Sequence, residues 1–321
     1  SVGTSGRRND RAHLGRPRSR SSPRSGLMRK WLVVVNQAAG RKAIQVGHVR
    51  EALRAASVDA DMVVPGSPAE TEEVLKTAAS EGRTHFALVG GDGTVNLAAN
   101  VLLNLDLGEP PTIGILPAGT GGDLLRTFGL PQELGPAAKH LATAETYPID
   151  VVTLEGSWGR RYFVNVAQVG AGAAAAETAP KIMRRLGMLR YPLAFGVRLP
   201  RFPMANVTVT TERRIYESEA LAVIMANAQF FAGGWNVAPK ATLIDGILDI
   251  QIINASKLQA PAIVPKIIKG THLGDPSVRR FTAAEFKIET DPTWPLEADG
   301  DLVGNTTVSG RVVPAAIHLK I

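Results

Sequence analysis

Short apolar runs alternate with helical patterns over the first half of the chain, and this alternation is the feature that most limits the fold. Strands are predicted at Leu32–Asn36, Ala60–Val64, His85–Val89 and Thr112–Leu116, and the apolar run of the first suits a strand buried on both faces. Helices between them are predicted at Val46–Ala56, from a capping box at Ser67 to about Ala79, and at Thr94–Asn104. Alternation of this kind predicts a parallel sheet with helices on both faces.

From about Ile149 the pattern changes to strands separated by turns, with helical signals mainly at 181–198 and 256–269. This predicts a β-rich second domain, a sandwich or a similar antiparallel unit. We therefore expect a basic leader (1–28), an α/β domain (29–148) and a β-rich domain (149–321). Ala171–Ala176 indicates tight packing. The predicted strands of the second domain are Val151–Leu154, Arg161–Val166, Val207–Thr211, Leu221–Ala226, Leu248–Ile253, Phe286–Thr290 and Ala315–Ile321.

The net charge of +7 comes from the leader and says little about the folded body. Residues 1–30 carry nine Arg or Lys against one acid, Asp10, so residues 31–321 sum to −1. We expect the leader to be disordered, the native start to be Met28, and nucleic acid not to be a partner. The chain has no cysteine, which excludes disulfides and thiol chemistry. No apolar run approaches the length of a transmembrane helix.

Polar, glycine-containing loops follow three of the predicted strands. Gly90–Thr94 (GGDGT) joins a buried strand to a helix, Asn36–Gly40 follows the first strand, and Pro117–Asp123 follows the fourth. Glycine amides and a helix N-terminus make an anion site, and loops at carboxyl strand ends converge on one sheet edge. A carboxylate there, Asp92, favours a Mg²⁺–nucleotide over bare phosphate. The structural alternative is a tight turn with Asp92 as the helix N-cap.

Three later segments have both a functional and a structural interpretation. The Asp-Gly pairs at Asp245 and Asp299 are hairpin-turn signals, and turns at a domain edge can also hold catalytic groups. The segment Arg184–Phe202 interleaves Arg with apolar residues. It could lie on a membrane surface, or it could be an amphipathic helix that covers the sandwich.

Five motifs in order make the chain similar to the bacterial lipid kinase family that contains diacylglycerol kinases and is related to sphingosine and ceramide kinases. They are NxxxG at Asn36–Gly40, GGDGT at Gly90–Thr94, PAGTGGD at Pro117–Asp123, GG…AP.A…DG.LD at Gly233–Asp249, and an acidic turn at Asp299–Asp301. The resemblance covers residues 29–321.

The resemblance implies a phosphofructokinase-like parallel α/β nucleotide domain, a C-terminal β-sandwich, and ATP and lipid meeting between them. It implies a cytoplasmic enzyme, peripherally bound to the inner face of the membrane, that phosphorylates a lipid such as diacylglycerol. Asp301 stands where the family's proposed general base lies, and Asp92 is expected at the Mg²⁺–nucleotide end. Asp245, with backbone oxygens near Thr242 and Ile247, would organise a structural Mg²⁺. The residues expected to bind ATP are Asn36, Gln37, Ala38, Ala39, Gly40, Gly90, Gly91, Asp92, Gly93, Thr94, Val95, Asn96, Gly119 and Thr120.

Three positions depart from the family pattern. Gly122 replaces an asparagine of PxGTxND, Asp301 replaces a glutamate, and Val64 aligns with a threonine that the family places near the adenine. Two alternatives stay open. An NAD kinase shares GGDGT, although its Gly-Ser-Thr-Ala-Tyr segment has no match in this chain. A non-catalytic lipid-binding protein could keep the same fold.

Overall fold

The structure is a computed structural model that describes residues 30–37, 44–118, 122–182 and 190–321. The predicted leader lies outside the described residues.

Strands and helices alternate in the first unit, as the sequence predicts, and the strands pair in parallel in the order second, first, third, fourth. The elements are β1 (Trp31–Val35), α1 (Val46–Ala55), β2 (Ala60–Val63), α2 (Pro68–Ser80), β3 (His85–Gly90), α3 (Asp92–Leu102), β4 (Thr112–Pro117), α4 (Asp123–Thr127) and α5 (Leu134–Leu141).

Strand β1 shows why these runs are apolar throughout. Leu32 and Val34 pack into one buried cluster, with side chains of α2 and α3. Val33 and Val35 pack into another, with side chains of α1 and α5. Each face of the strand therefore buries apolar area against helices, which confirms the predicted two-sided parallel sheet.

Local sequence fixes where two of the helices begin. The Ser67 hydroxyl accepts from the Glu70 amide at 3.1 Å and Pro68 opens α2, as the capping box predicts. Helix α3 begins two residues earlier than predicted, because Gly91 is its N-cap. The alternative that made Asp92 the N-cap is therefore wrong.

The second unit is dominated by antiparallel strands. Its elements are β5 (Thr146–Gly156), β6 (Gly159–Phe163), β7 (Val166–Gly170), α6 (Ala171–Thr178), α7 (Arg190–Arg198), β8 (Ala205–Thr211), β9 (Ile215–Ala220), β10 (Ala222–Ala226), β11 (Phe230–Phe231), β12 (Trp235–Asn236), β13 (Leu248–Ile253), α8 (Ala260–Lys269), β14 (Val278–Ala283), β15 (Glu285–Asp291), β16 (Pro295–Ala298), β17 (Asp301–Asn305) and β18 (Val308–Lys320).

The long last strand joins the two units. The β18 residues His318 and Leu319 pair in parallel with β4, and the strand also pairs antiparallel with β5 and β15. One sheet thus continues in the order β2-β1-β3-β4-β18-β15-β8-β9. Strand β5 runs through the predicted boundary between residues 148 and 149.

A second sheet, in the order β14-β13-β10-β7-β16-β17, lies over the antiparallel part of the first. Val169 and Leu296 from the second sheet share one buried core with Val209 and Ile288 from the first, around the fully buried Trp294. This arrangement confirms the predicted β-sandwich.

The tight packing predicted for Ala171–Ala176 is confirmed, because its alanines are buried. Two features of the second unit differ from the sequence predictions: one strand is split, and one helix was not predicted. The predicted strand Arg161–Val166 is split into β6 and β7, because amides at the break donate to a carboxylate instead of a neighbouring strand. The stretch Ala171–Ala176 lies in the helix α6. Its run of alanines carries no apolar periodicity, so the sequence gives little sign of that helix.

Candidate active site

The loops after β1, β3 and β4 meet at one edge of the parallel sheet. The Asn36 amide donates to the Val89 carbonyl at 3.0 Å, and the Ala118 amide donates to the Gly90 carbonyl at 3.2 Å. The Asn36 side-chain Nδ2 donates to Thr94 Oγ1 at 3.0 Å. Residues from two of the predicted nucleotide motifs are therefore in direct contact.

At the start of α3 there is no room for a side chain at Gly90, whereas Gly93 borders open space. A Cβ at Gly90 would lie 2.2 Å from Thr94 Oγ1, whereas a Cβ at Gly93 would meet nothing within 4 Å. Gly91 caps the helix in an extended conformation. The positive end of an eleven-residue helix thus begins beside open space, which suits a phosphate group.

Asp92 connects the GGDGT loop to α4, the helix that follows the loop after β4. Its two carboxylate oxygens accept from the Asp123 amide at 3.0 Å and the Leu124 amide at 3.2 Å. Asp92 therefore caps the N-terminus of α4. Each oxygen keeps a further lone pair for a cation, because a carboxylate has about four acceptor positions.

Asp123 extends this connection to the second unit. Its buried carboxylate accepts from the Gly233 amide at 2.8 Å and from Arg126 Nη1 at 2.9 Å. Burial raises the pKa of Asp123 to about 6, and the nearby Asp92 charge adds to the rise. The Arg126 guanidinium lies 5.8 Å from the centre of the Phe230 ring.

Neither Asp123 nor Arg126 was among the predicted site residues. The two residues are three positions apart directly after a glycine loop, and residues with this spacing share one face of a helix. This spacing is the sequence signal that could have identified them.

Asp299 is held by four N–H donors. Asn96 Nδ2 donates to its carboxylate at 2.8 Å, and the amides of Val164, Asn165 and Val166 donate at 2.7, 2.9 and 3.0 Å. Burial raises the pKa of Asp299 to about 6, against the opposite effect of these donors. Asn96 is one turn along α3 from Asp92, so Asp299 ties the acidic turn of the second unit to the helix of the GGDGT loop.

Asp301 differs from Asp299 although only one residue separates them. Its side chain is 64% exposed and accepts from Arg161 Nη2 at 3.2 Å. The turn therefore directs one carboxylate into the protein and leaves the other accessible.

The predicted metal residues lie on the loop before β13. Asp245 Oδ1 accepts from the Ile247 amide at 3.2 Å, and Thr242 lies three residues earlier. Burial raises the pKa of Asp245, and the charges of Asp150 and Asp249 add to this rise. Among the described residues no group of three or more His, Cys, Asp or Glu side chains is placed to hold a metal. A cation here would need carbonyl oxygens beside the one carboxylate, and hard cations such as Mg²⁺ accept that donor set.

The other predicted ATP-binding residues are placed as follows. Gln37 is exposed in the turn after β1. The Val95 side chain is buried in the apolar cluster beneath α3, so it is not accessible to a ligand. Five predicted residues lie outside the described residues: Ala38, Ala39, Gly40, Gly119 and Thr120.

An apolar cavity of about 90 Å³ lies on the outer face of the second sheet, between that sheet and helices α6, α7 and α8. The sequence did not predict it, because its walls come from segments far apart in the chain. Its lining residues include Gln168, Tyr191, Phe195, Ile224, Trp235 and Ile263.

Comparison with known proteins agrees with this architecture. The sequence model of the "Diacylglycerol kinase catalytic domain" matches residues 30–154. The model of the "YegS C-terminal NAD kinase beta sandwich-like domain" matches residues 165–321. The chain belongs to the diacylglycerol kinase-like lipid kinase family.

Individual relatives span most of the chain. A diacylglycerol kinase of Bacillus subtilis is 25% identical over 299 residues, covering 92% of this chain and 96% of that protein. A diacylglycerol kinase of Mycobacterium tuberculosis is 29% identical over 273 residues, covering 83% and 86%. The crystal structure of a diacylglycerol kinase from Bacillus anthracis superposes with a TM-score of 0.69 at 22% identity, covering 91% of this chain and 96% of that one. This likeness shows the shared fold.

One departure from the family pattern has a structural counterpart. A Cβ at Gly122 would lie 2.6 Å from Gln132 Oε1. The Gln132 side chain therefore occupies the space that the family's asparagine would need.

Proposed function

We propose that the protein is an ATP-dependent lipid kinase that transfers the γ-phosphate of ATP to the hydroxyl of a lipid such as diacylglycerol. One contact carries the proposal. Asp299 accepts from Asn96, so the turn that bears Asp301 is fixed to α3, the helix that begins in the GGDGT loop. This contact would hold a nucleotide site and an accessible carboxylate beside each other across the two units.

The nucleotide site of this proposal is the sheet edge where β1, β3 and β4 end. The N-terminus of α3 and the open space at Gly93 would receive phosphate oxygens. The hydrogen bond between Asn36 and Thr94 fixes the first loop against the second. The remaining residues implied by the family are those given in the sequence analysis.

Asp301 is the proposed proton acceptor in the transfer. The lipid hydroxyl oxygen forms a bond to the γ-phosphorus, the bond from phosphorus to the bridging oxygen breaks, and the hydroxyl proton passes to the Asp301 carboxylate. An accessible carboxylate suits this role, whereas Asp299 has its oxygens occupied by four donors. Positioning and charge stabilisation supply most of the remaining effect in phosphoryl transfer.

A divalent cation is expected with ATP and as a structural ion. When bound, Mg²⁺ would neutralise phosphate charge. Asp92 is the candidate carboxylate on the nucleotide side, and Asp245 with carbonyl oxygens near Thr242 and Ile247 is the candidate for the structural ion. Burial raises the pKa of Asp245 and the charges of Asp150 and Asp249 add to the rise, so a cation beside Asp245 would offset that repulsion.

The apolar cavity supports a lipid acceptor. Its volume of about 90 Å³ is well below the roughly 300 Å³ or more of most small-molecule sites. It can therefore admit the end of an acyl chain, and a longer insertion requires α6, α7 or α8 to move outward.

Peripheral contact with a membrane is part of the proposal, with the ATP-using face in the cytoplasm. Leu193 and Val197 on α7 are 47% and 59% exposed, while Phe195 of the same helix lines the cavity. Exposed apolar side chains beside a lipid cavity suit contact with a bilayer surface. No helix among the described residues is long and apolar enough to cross a membrane.

An ATP-turnover assay with mixed acceptors tests the proposal. Purified protein with Mg²⁺ and ATP is offered diacylglycerol, a sphingoid base, ceramide and, separately, NAD. We expect phosphate on at least one lipid and none on NAD. Phosphorylation of NAD alone would favour the NAD kinase alternative, and no transfer to any acceptor would favour a non-catalytic lipid-binding protein.

A further inference from the structure

Glu297 is a fully buried acidic side chain that the proposed transfer does not use. It lies on β16, is 0% exposed, and both of its oxygens accept hydrogen bonds. Gln168 Nε2 donates to Oε2 at 2.8 Å, and the Gly300 amide donates to Oε1. Glu297 thus contacts the turn that carries Asp301.

The strand register places Glu297 on the cavity side of the sheet. Its neighbours Leu296 and Ala298 belong to the sandwich core, so Glu297 points to the opposite face. Glu297 and Gln168 are direct partners in the pairing of β16 with β7. Gln168 in turn lines the apolar cavity.

The lack of a side chain at Gly172 leaves room for the Gln168 amide in this position. A Cβ at Gly172 would lie 1.9 Å from Gln168 Oε1, so a larger residue there would displace the side chain. Glu297 and Gln168 therefore form a short polar connection, through otherwise apolar surroundings, from the cavity wall to the Gly300 amide.

A buried carboxyl is costly unless it is neutral or well bonded. Burial raises the pKa of Glu297 to about 8, and the charges of Asp299 and Asp301 add to the rise. An apolar side chain of similar size would avoid the cost of burying an acid, but it would leave the Gln168 and Gly300 donors without an acceptor. The acid therefore serves to hold these two donors.

We propose that Glu297 is a positioning residue that holds the turn bearing Asp301 through the Gly300 amide and, through Gln168, couples that turn to the occupant of the apolar cavity. The proposal rests on the proposed function, because it assigns the cavity to the acyl chain of the acceptor. It predicts that filling the cavity changes the environment of the Gly300 amide and that losing the acceptor oxygens of Glu297 impairs transfer.

The test compares Glu297→Met with the conservative Glu297→Gln. Methionine keeps the volume and removes both acceptor oxygens, whereas glutamine keeps one oxygen for the Gly300 amide. With dioctanoylglycerol as acceptor we expect kcat to fall about tenfold in Glu297→Met and to stay within about threefold in Glu297→Gln, with the KM for ATP unchanged in both. A purely structural role would lower the melting temperature without this kcat-specific loss.

A second measurement does not depend on turnover. Dioctanoylglycerol is titrated, without ATP, into ¹⁵N-labelled protein, and the Gly300 amide resonance is followed. We expect it to shift in the wild type and not in Gln168→Met, which breaks the connection. Wild-type kcat in Glu297→Met, or a Gly300 resonance that does not respond in the wild type, would overturn the proposal. Should the wild type phosphorylate no lipid, the proposed function fails, and the amide titration still decides the coupling.

Discussion

The Asp92–Asp123 junction and the Asp299–Asp301 turn both place acidic residues where the two units of the chain contact each other, but they use them differently. At the junction both carboxylates hold backbone: Asp92 caps α4, and Asp123 binds the Gly233 amide. In the turn Asp299 holds backbone, while Asp301 stays accessible. An acidic residue in a family motif can thus hold backbone at this boundary or stay accessible, and its hydrogen-bond donors distinguish the two roles.

Replacing Asp299 should have the largest effect on stability. Asp299→Asn puts an NH₂ group where amide donors now converge, leaving at least one of them unpaired. We expect the free energy of unfolding to fall by about 3 kcal/mol or more. Urea unfolding measures this.

Asp301→Asn is the matched control, because Asp301 is exposed and its ion pair should contribute less than about 1 kcal/mol. Equal losses in the two variants would remove the distinction between a carboxylate that holds backbone and one that stays accessible.

The contact between the loop after β1 and the GGDGT loop could be predicted from the sequence. The different roles of Asp299 and Asp301 could not. Asn36 and Thr94 come together because parallel strands end at one sheet edge, a rule that needs only the strand order. The roles of Asp299 and Asp301 depend on the amides of Val164–Val166, more than 130 residues earlier in the chain. Local turn signals cannot encode such a contact, and an Asp-Gly pair indicates a hairpin in either case.

The burial of Glu297 could not be predicted from the sequence for a related reason. On its own strand it precedes an Asp-Gly turn and looks like an exposed polar residue. Its burial depends on Gln168 and on the closely packed α6, whose alanines give no helical periodicity. Tertiary packing therefore decides the properties of this acid.

The pH dependence of stability should reveal the buried Glu297 carboxyl. The folded pKa of Glu297, about 8, lies above its ordinary value of 4.5, so the folded state binds the proton more tightly than the unfolded state. The stabilisation is complete below about pH 4.5 and is lost as pH rises to about 8, by at most about 1.4 kcal/mol per pH unit.

Urea unfolding at several pH values tests this. Relative to wild type, Glu297→Met should gain stability as pH rises through that window. If the difference in unfolding free energy between Glu297→Met and wild type stayed constant across the window, this would contradict a raised pKa at Glu297.

Restoring the family's asparagine should have the smallest effect. In Gly122→Asn the new side chain meets the end of Gln132, a flexible group that can move aside. We expect the free energy of unfolding to fall by less than about 1 kcal/mol. The double variant with Gln132→Ala should recover this loss. A melting-temperature comparison of the two variants checks this, and a larger loss that Gln132→Ala leaves in place would show that the backbone excludes the side chain.

The most direct test of the account is phosphate transfer by Asp301→Ala, measured together with ATP binding. Loss of the proton acceptor should lower kcat at least about a hundredfold, while the Kd for ATP stays within about twofold of wild type. Asp301→Glu, which restores the family's residue, should keep activity. Full transfer by Asp301→Ala would contradict the assignment of Asp301 as the residue that faces the acceptor hydroxyl.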